Sequence, residues 1–142
     1  MALSVQEKRE WLERVPLFAG SSGEALDQLT GLMAEIGFAA DQAIVLQGQV
    51  GNGLYIVIDG GARIVQGADL LARLGPGDFF GELAVIDQEP RSASAYADGP
   101  TTCLALASWD LLAMLEREPS LALNMLRELA GRLRRADQQL RH

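Results

Sequence analysis

Gly81, Glu82 and Arg91 fall within eleven residues of one another, in the run Gly75-Pro76-Gly77-Asp78-Phe79-Phe80-Gly81-Glu82-Leu83-Ala84-Val85-Ile86-Asp87-Gln88-Glu89-Pro90-Arg91-Ser92-Ala93-Ser94. Together they offer the chemistry of anion and sugar recognition. Gly81 lets the backbone approach a ligand closely, because no side chain intervenes. Residues 82 to 87 suffice for one or two helical turns starting at Gly81, which leaves several N–H groups without intrahelical partners. Such an end takes up anions, phosphate above all. Arg91 is the only basic residue between Arg73 and Arg117, and its fork suits two phosphate oxygens at once. A carboxylate at Glu82 would repel phosphate if it faced it, but it can accept from a ribose hydroxyl. Ser92 adds a short donor and acceptor beside the arginine. Anion and sugar groups this close point to a nucleotide whose phosphate lies near its ribose.

Other chemistries lack their residues. The single histidine, His142, is terminal, so no serine or cysteine has a histidine base and no cluster has metal-ligand spacing. A metal-dependent cupin would need several histidines. The expectation is therefore no catalysis and no metal. Cys103, the only cysteine, cannot form an internal disulfide and reads as a small buried apolar residue. The net charge of −7 argues against general affinity for nucleic acid or anionic membranes. Arg127, Arg132, Arg134, Arg135 and Arg141 crowd the end of the chain against Glu128 and Asp137, which reads as a solvated helix face. No helix-turn-helix follows, so direct DNA binding is not expected. No apolar run spans a bilayer and no signal segment opens the chain, which suggests a cytoplasmic protein.

The elements that must hold these residues form three blocks within one domain of 142 residues. The stretch 1–36 reads as helical, with a first helix over Glu7 to Val15, stopped by Pro16, and a second capped by Ser21 or Ser22. Glu24 lies at capping-box spacing from Ser21. The stretch 37–107 is a series of short strands: Ala43 to Leu46, Leu54 to Ile58, Ala62 to Val65, Leu70 to Leu74, Ala93 to Ala97 and Thr101 to Leu106. Glycine-bearing turns separate them, which means an antiparallel roll or barrel. The stretch 108–142 returns to helix, with Ser108 as cap of Trp109 to Arg117 and Pro119 opening a longer helix. On that helix Ala122, Leu126, Leu129, Leu133, Ala136 and Leu140 make one apolar seam. Trp11 and Trp109 read as packing residues.

Phe80-Gly81-Glu82-Leu83-Ala84, followed by Pro90-Arg91-Ser92-Ala93-Ser94, resembles the phosphate-binding cassette (78–94) of the cyclic nucleotide-binding domain family. That family includes the bacterial cAMP receptor protein, kinase regulatory subunits and cyclic nucleotide-gated channels. The likeness runs from Val15-Pro16-Leu17-Phe18 through Leu54-Tyr55-Ile56-Val57 to the final helix. It implies an α+β fold, a jelly-roll-like antiparallel β-roll of about eight strands between N-terminal helices and a C-terminal helix pair. It implies cAMP or cGMP as ligand, the two left open. By the resemblance, Arg91 pairs with the cyclic phosphate, with Ser92 and the N–H groups of Gly81, Leu83 and Ala84 around it, and Glu82 takes the ribose. Ile64 and Ala72 wall the base, with Phe80 beside them. An arginine of the last helix covers the purine, Arg132 first and Arg135 second. Gln47 stands where many members carry glutamate, and Asp59-Gly60-Gly61 is looser than the usual turn. The function implied is a regulatory sensor acting through the C-terminal helix, which could also pair two subunits or meet an effector. The competing reading is a ligand-unresponsive scaffold of the same fold.

Overall fold

The computed structural model describes residues 2–51 and 53–140. Ser4 starts the first helix, its Oγ accepting from the Glu7 backbone at 3.1 Å while the Glu7 carboxylate accepts from the Ser4 N–H at 3.1 Å. This reciprocal capping box opens α1 (Val5–Arg14) ahead of the expected Glu7. Pro16 then begins a 3-10 turn (Pro16–Phe18) that buries Leu17 and Phe18. The cap of α2 (Gly23–Leu32) is Ser22, whose Oγ accepts from Ala25 N. Ser21 is instead partly buried, its hydroxyl without a hydrogen-bond partner, so no box forms with Glu24.

Eight strands follow: β1 (Ala34–Phe38), β2 (Ala43–Val45), β3 (Gly53–Asp59), β4 (Ala62–Gln66), β5 (Asp69–Leu74), β6 (Phe79–Phe80), β7 (Ser94–Ala97) and β8 (Thr101–Ala107). They form two antiparallel four-stranded sheets, ordered β1-β8-β3-β6 and β2-β7-β4-β5. This is the antiparallel roll expected, but sequence reading missed two of its strands. β1 begins at Ala34, inside the stretch assigned to helix, because an edge strand exposed at Ala34, Ile36 and Gly37 lacks the apolar alternation that marks a half-buried one. β6 is only two residues long, held to β3 through the pairs Tyr55–Phe80 and Ile56–Phe79.

The period of two along β3 divides the core. Leu54 and Ile56 point outward and pack with Leu12, Leu29, Leu104, Leu106, Leu111 and Leu121 beneath the helices. Tyr55 and Val57 point into the roll with Cys103, whose thiol is pushed up to about 11 by burial. Helix α4 (Ser108–Arg117) starts one residue earlier than expected, with Ala107 at its cap position and no side-chain cap, so Ser108 lies inside it. Trp109, expected to pack, is 68% exposed.

Helix α5 (Pro119–Leu140) meets the 3-10 turn and α4, burying Leu121 and Met125. These two residues lie outside the predicted seam. Two of the seam's leucines remain uncovered, Leu126 at 64% and Leu133 at 71% exposure, and the Leu140 side chain lies outside the described residues. Among the described residues, no helix is long and apolar enough to cross a membrane. Arg141 and His142 lie outside the described residues.

Candidate functional site

A cavity of about 520 Å³ opens between the cassette and the roll, within the range of small-molecule sites. Its lining brings together Gly81, Glu82, Arg91 and Ser92 with Ile64, Phe80 and Arg132, residues drawn from both sheets, the cassette and α5. β6 leads the chain into Gly81, and α3 (Glu82–Asp87) follows. Gly81 has φ +98°, and a Cβ there would stand 2.6 Å from the Gly53 carbonyl oxygen and 2.8 Å from Arg91 Nη1. Only glycine fits that turn without displacing backbone. Leu83 and Ala84 stand in the first turn of α3, and their side chains lie outside the described residues.

Arg91 is 7% exposed. Its Nη2 donates to the Gly53 carbonyl at 2.8 Å, and its guanidinium lies 6.0 Å from the centre of the Tyr55 ring. Its backbone is pinned on both sides, N–H to Gln49 O and carbonyl to Gly48 N, each at 2.8 Å. Burial draws the Arg91 pKa down, while Tyr55 and Glu82 act in the opposite direction. An arginine remains protonated through such a shift, so the pocket holds a permanent, largely desolvated cation. Tyr55 is raised by its own burial, against the influence of Arg91. Phe80 stacks on Tyr55 with ring centres 5.4 Å apart, so it both lines the cavity and closes the roll interior.

Glu82 is 5% exposed, and its Oε1 accepts from Arg132 Nη1 at 2.6 Å. The Arg132 guanidinium also lies 4.6 Å above the Phe79 ring and 3.5 Å from Glu128. Among the two arginines considered on the last helix, Arg132 therefore borders the cavity. Arg135 is exposed and is not among the described residues that line it. Ala72 is exposed on β5 opposite Ile64, and Leu74, two residues further, occupies the wall. Ser92 is exposed at the rim, where its carbonyl accepts from the Gln66 side chain.

Sequence reading passed over several residues. Val45, Leu74 and Phe79 supply apolar wall, and Asp87 and Glu89 supply charge at the rim. Ser94 is buried, and its Oγ accepts from Gln47 N at 2.8 Å. Gln47 itself, noted only as a departure from glutamate, accepts from Gly67 N at 3.0 Å and so ties the β4–β5 turn to the cassette side of the roll. No periodicity marks these residues, since they become neighbours only when the two sheets close. Among the described residues, no group of His, Cys, Asp and Glu could hold a metal ion.

Known proteins resemble this chain in sequence and fold. The "Cyclic AMP receptor protein" of Thermus thermophilus is 39% identical over 130 residues, covering 88% of this chain and 60% of the relative. The "CRP-like cAMP-activated global transcriptional regulator" of Mycobacterium tuberculosis is 32% identical, covering 92% and 61% respectively. The chain thus spans about 60% of the length of these curated relatives. Among solved structures, the N-terminal domain of a transcriptional regulator from Streptomyces coelicolor A3(2) superposes with a TM-score of 0.76 at 32% identity, covering 90% of this chain and 95% of that one. The family model described as "Cyclic nucleotide-binding domain" matches residues 35–118, so a family assignment rests on the roll, the cassette and α4 together, and the chain belongs to the cyclic nucleotide-binding domain family.

Proposed function

We propose that the chain is a regulatory sensor that binds a 3′,5′-cyclic purine mononucleotide, cAMP or cGMP, and relays its occupancy through α5 without catalysing a reaction. The observation that carries this reading is the convergence of one buried arginine and one buried carboxylate, Arg91 and Glu82, on a single cavity. A buried cation with free N–H groups seeks a compact anion, and a buried carboxylate seeks donors. A cyclic phosphate fused to a ribose supplies both within one rigid ligand. Ile64, Leu74 and Val45 offer the apolar wall a purine needs. The relatives named as cAMP receptors favour cAMP, although Ser92 at the rim offers a hydroxyl that either purine could use.

Relay through α5 rests on Arg132, which reaches from that helix into the cavity to Glu82. A ligand that donates a hydrogen bond to Glu82 changes what Arg132 faces, and so changes the free energy of keeping α5 in place. The exposed Leu123, Leu126 and Leu133 support a second element of the reading, a homodimer through α5. With Ala130 they recur at alternating spacings of three and four, the geometry of a two-stranded helical seam.

Calorimetric titration of the protein with cAMP and with cGMP tests the proposal, alongside thermal melting with each nucleotide at millimolar concentration. We expect saturable heat and a raised Tm for at least one. No heat and no shift with either would favour a scaffold that has lost its ligand.

A further inference from the structure

The charges around the cavity do not balance in favour of anions. Five charged residues line it among those described, the arginines Arg91 and Arg132 and the acids Glu82, Asp87 and Glu89. Arg132 is engaged by Glu82 at 2.6 Å, so these two neutralise one another. Among the described residues, Arg91 is then left as the one lining cation without an ion pair, in a cavity that two exposed carboxylates also border.

The placement of those two carboxylates is built into the backbone. Asp87 Oδ1 accepts from the Glu89 N–H at 2.9 Å, which folds residues 87 to 89 into a tight turn. Gln88 at the middle of it has φ +58°, a left-handed conformation rarely adopted by residues other than glycine, asparagine and aspartate. Asp87 and Glu89, on either side of it, both border the cavity beside Pro90 and Arg91.

We propose that Asp87 and Glu89 act as a charge filter, setting the specificity of the site for a singly charged cyclic phosphodiester over open-chain phosphates; this rests on the cyclic nucleotide reading above. A cyclic phosphodiester carries one negative charge, which Arg91 alone matches. A phosphomonoester carries close to two at neutral pH, its second pKa being about 6. A diphosphate carries more. Among the described residues, each added charge has no further unpaired cation in the cavity to meet, and it is repelled by both rim carboxylates. Nucleoside mono- and diphosphates share the base and the 2′-hydroxyl of the cyclic ligand, so contacts to those parts do not separate them from it. The phosphate differs most between them, and charge distinguishes it without a new contact.

The test is the double substitution Asp87→Asn with Glu89→Gln. Asparagine retains the acceptor for the Glu89 N–H, so the turn is preserved. Dissociation constants for cAMP, 5′-AMP and ADP are measured by calorimetry for wild type and variant at low and high salt. Charge repulsion predicts a gain in affinity that rises with ligand charge, smallest for cAMP and largest for ADP. The ratio of 5′-AMP to cAMP dissociation constants should fall roughly three- to tenfold at low salt, the scale of two screened charges near a protein surface. High salt should shrink the wild-type ratio towards that of the variant. A change of equal size for all three ligands, or none, overturns the filter while leaving the cyclic nucleotide reading intact. Failure of wild type to bind cAMP and cGMP overturns that reading, and the filter with it.

Discussion

Arg132 of α5 and Glu82 at the start of α3 meet across fifty residues of chain, Nη1 to Oε1 at 2.6 Å, and the carboxylate in that pair is 5% exposed. The same guanidinium rests on Phe79 of β6, so one side chain joins the last helix, the cassette and the roll. A hydrogen bond with charged partners contributes about 1.5–3 kcal/mol, and Arg132 is partly solvated, which favours the lower end. Arg132→Ala leaves a buried carboxylate without its cation and should destabilise the protein by about 1–3 kcal/mol in urea unfolding. Hydrogen exchange in residues 128 to 136 should quicken in parallel. Unchanged stability and exchange would show that the pair holds nothing in place.

Glu82 should also register the sugar. If its carboxylate accepts from the ribose 2′-hydroxyl, Glu82→Gln should weaken cAMP binding roughly ten- to hundredfold, as expected for loss of a charged acceptor. The 2′-deoxy analogue offers no donor at that point, so its affinity should change little. Titration of both proteins with both ligands reads the difference. Equal losses would assign Glu82 to holding Arg132 and its own helix, with no part in ribose recognition.

Arg91→Ala removes the one cation that, among the described residues, lines the cavity without an ion pair. Loss of a buried charged partner costs about 2–5 kcal/mol, or roughly thirtyfold to several thousandfold in affinity. Arg91→Lys should recover only part, since an ammonium cannot fork onto two oxygens. Because Arg91 also donates to the Gly53 carbonyl, the ligand-free Tm of each variant must be measured beside the affinity. Wild-type affinity in Arg91→Ala would remove Arg91 from the phosphate site.

The cassette was legible in the sequence because its residues are close along the chain. Gly81, Glu82, Arg91 and Ser92 need only a turn and a short helix to face one cavity, and local spacing carries that information. The helical caps were half legible, since Ser21 and Ser22 are chemically alike and only the packed structure puts Ser22 Oγ beside Ala25 N. The walls were the least legible. Leu74 lines the cavity while Ala72, in regular register with it and paired to Ile64, is exposed, and no pattern in the strand distinguishes the two. The apolar seam of α5 was visible as a pattern. Which of its faces the chain itself covers was not, because Leu121 and Met125 are chosen by where α4 and the 3-10 turn lie.

Gly81→Ala separates backbone geometry from flexibility. Alanine at φ +98° is strained, and its Cβ would also press on the Gly53 carbonyl and on Arg91. Gly77→Ala is the control, with φ +93° and no atom within 4 Å of the added carbon. Strain alone costs about 1–3 kcal/mol, so both variants should melt earlier. Only Gly81→Ala should also lose nucleotide affinity, because it displaces the guanidinium. Equal affinities in the two variants would mean that the close approach at Gly81 does not shape the site.

The exposed face of α5 gives the last prediction. Leu123, Leu126 and Leu133 are 45%, 64% and 71% exposed, on the side of the helix away from the buried Leu121 and Met125. A second copy of α5 laid along this face would bury them in pairs. Fully burying a leucine contributes about 1.5–3 kcal/mol, and a substitution in a symmetric dimer acts twice. Leu126→Ser should therefore weaken dimerisation by about 3 kcal/mol or more, over a hundredfold in Kd, and Leu133→Ser similarly. Because neither residue serves the chain's own core, both variants should retain the wild-type fold and circular dichroism. Sedimentation equilibrium across a concentration series checks the association, first without ligand and then with saturating cAMP. A ligand-dependent change in the wild-type constant would connect the Arg132–Glu82 contact to assembly, since Arg132 and the exposed leucines lie on the same helix, α5. A wild-type chain that stays monomeric at high micromolar concentration, with and without nucleotide, rules out α5 as a self-pairing surface.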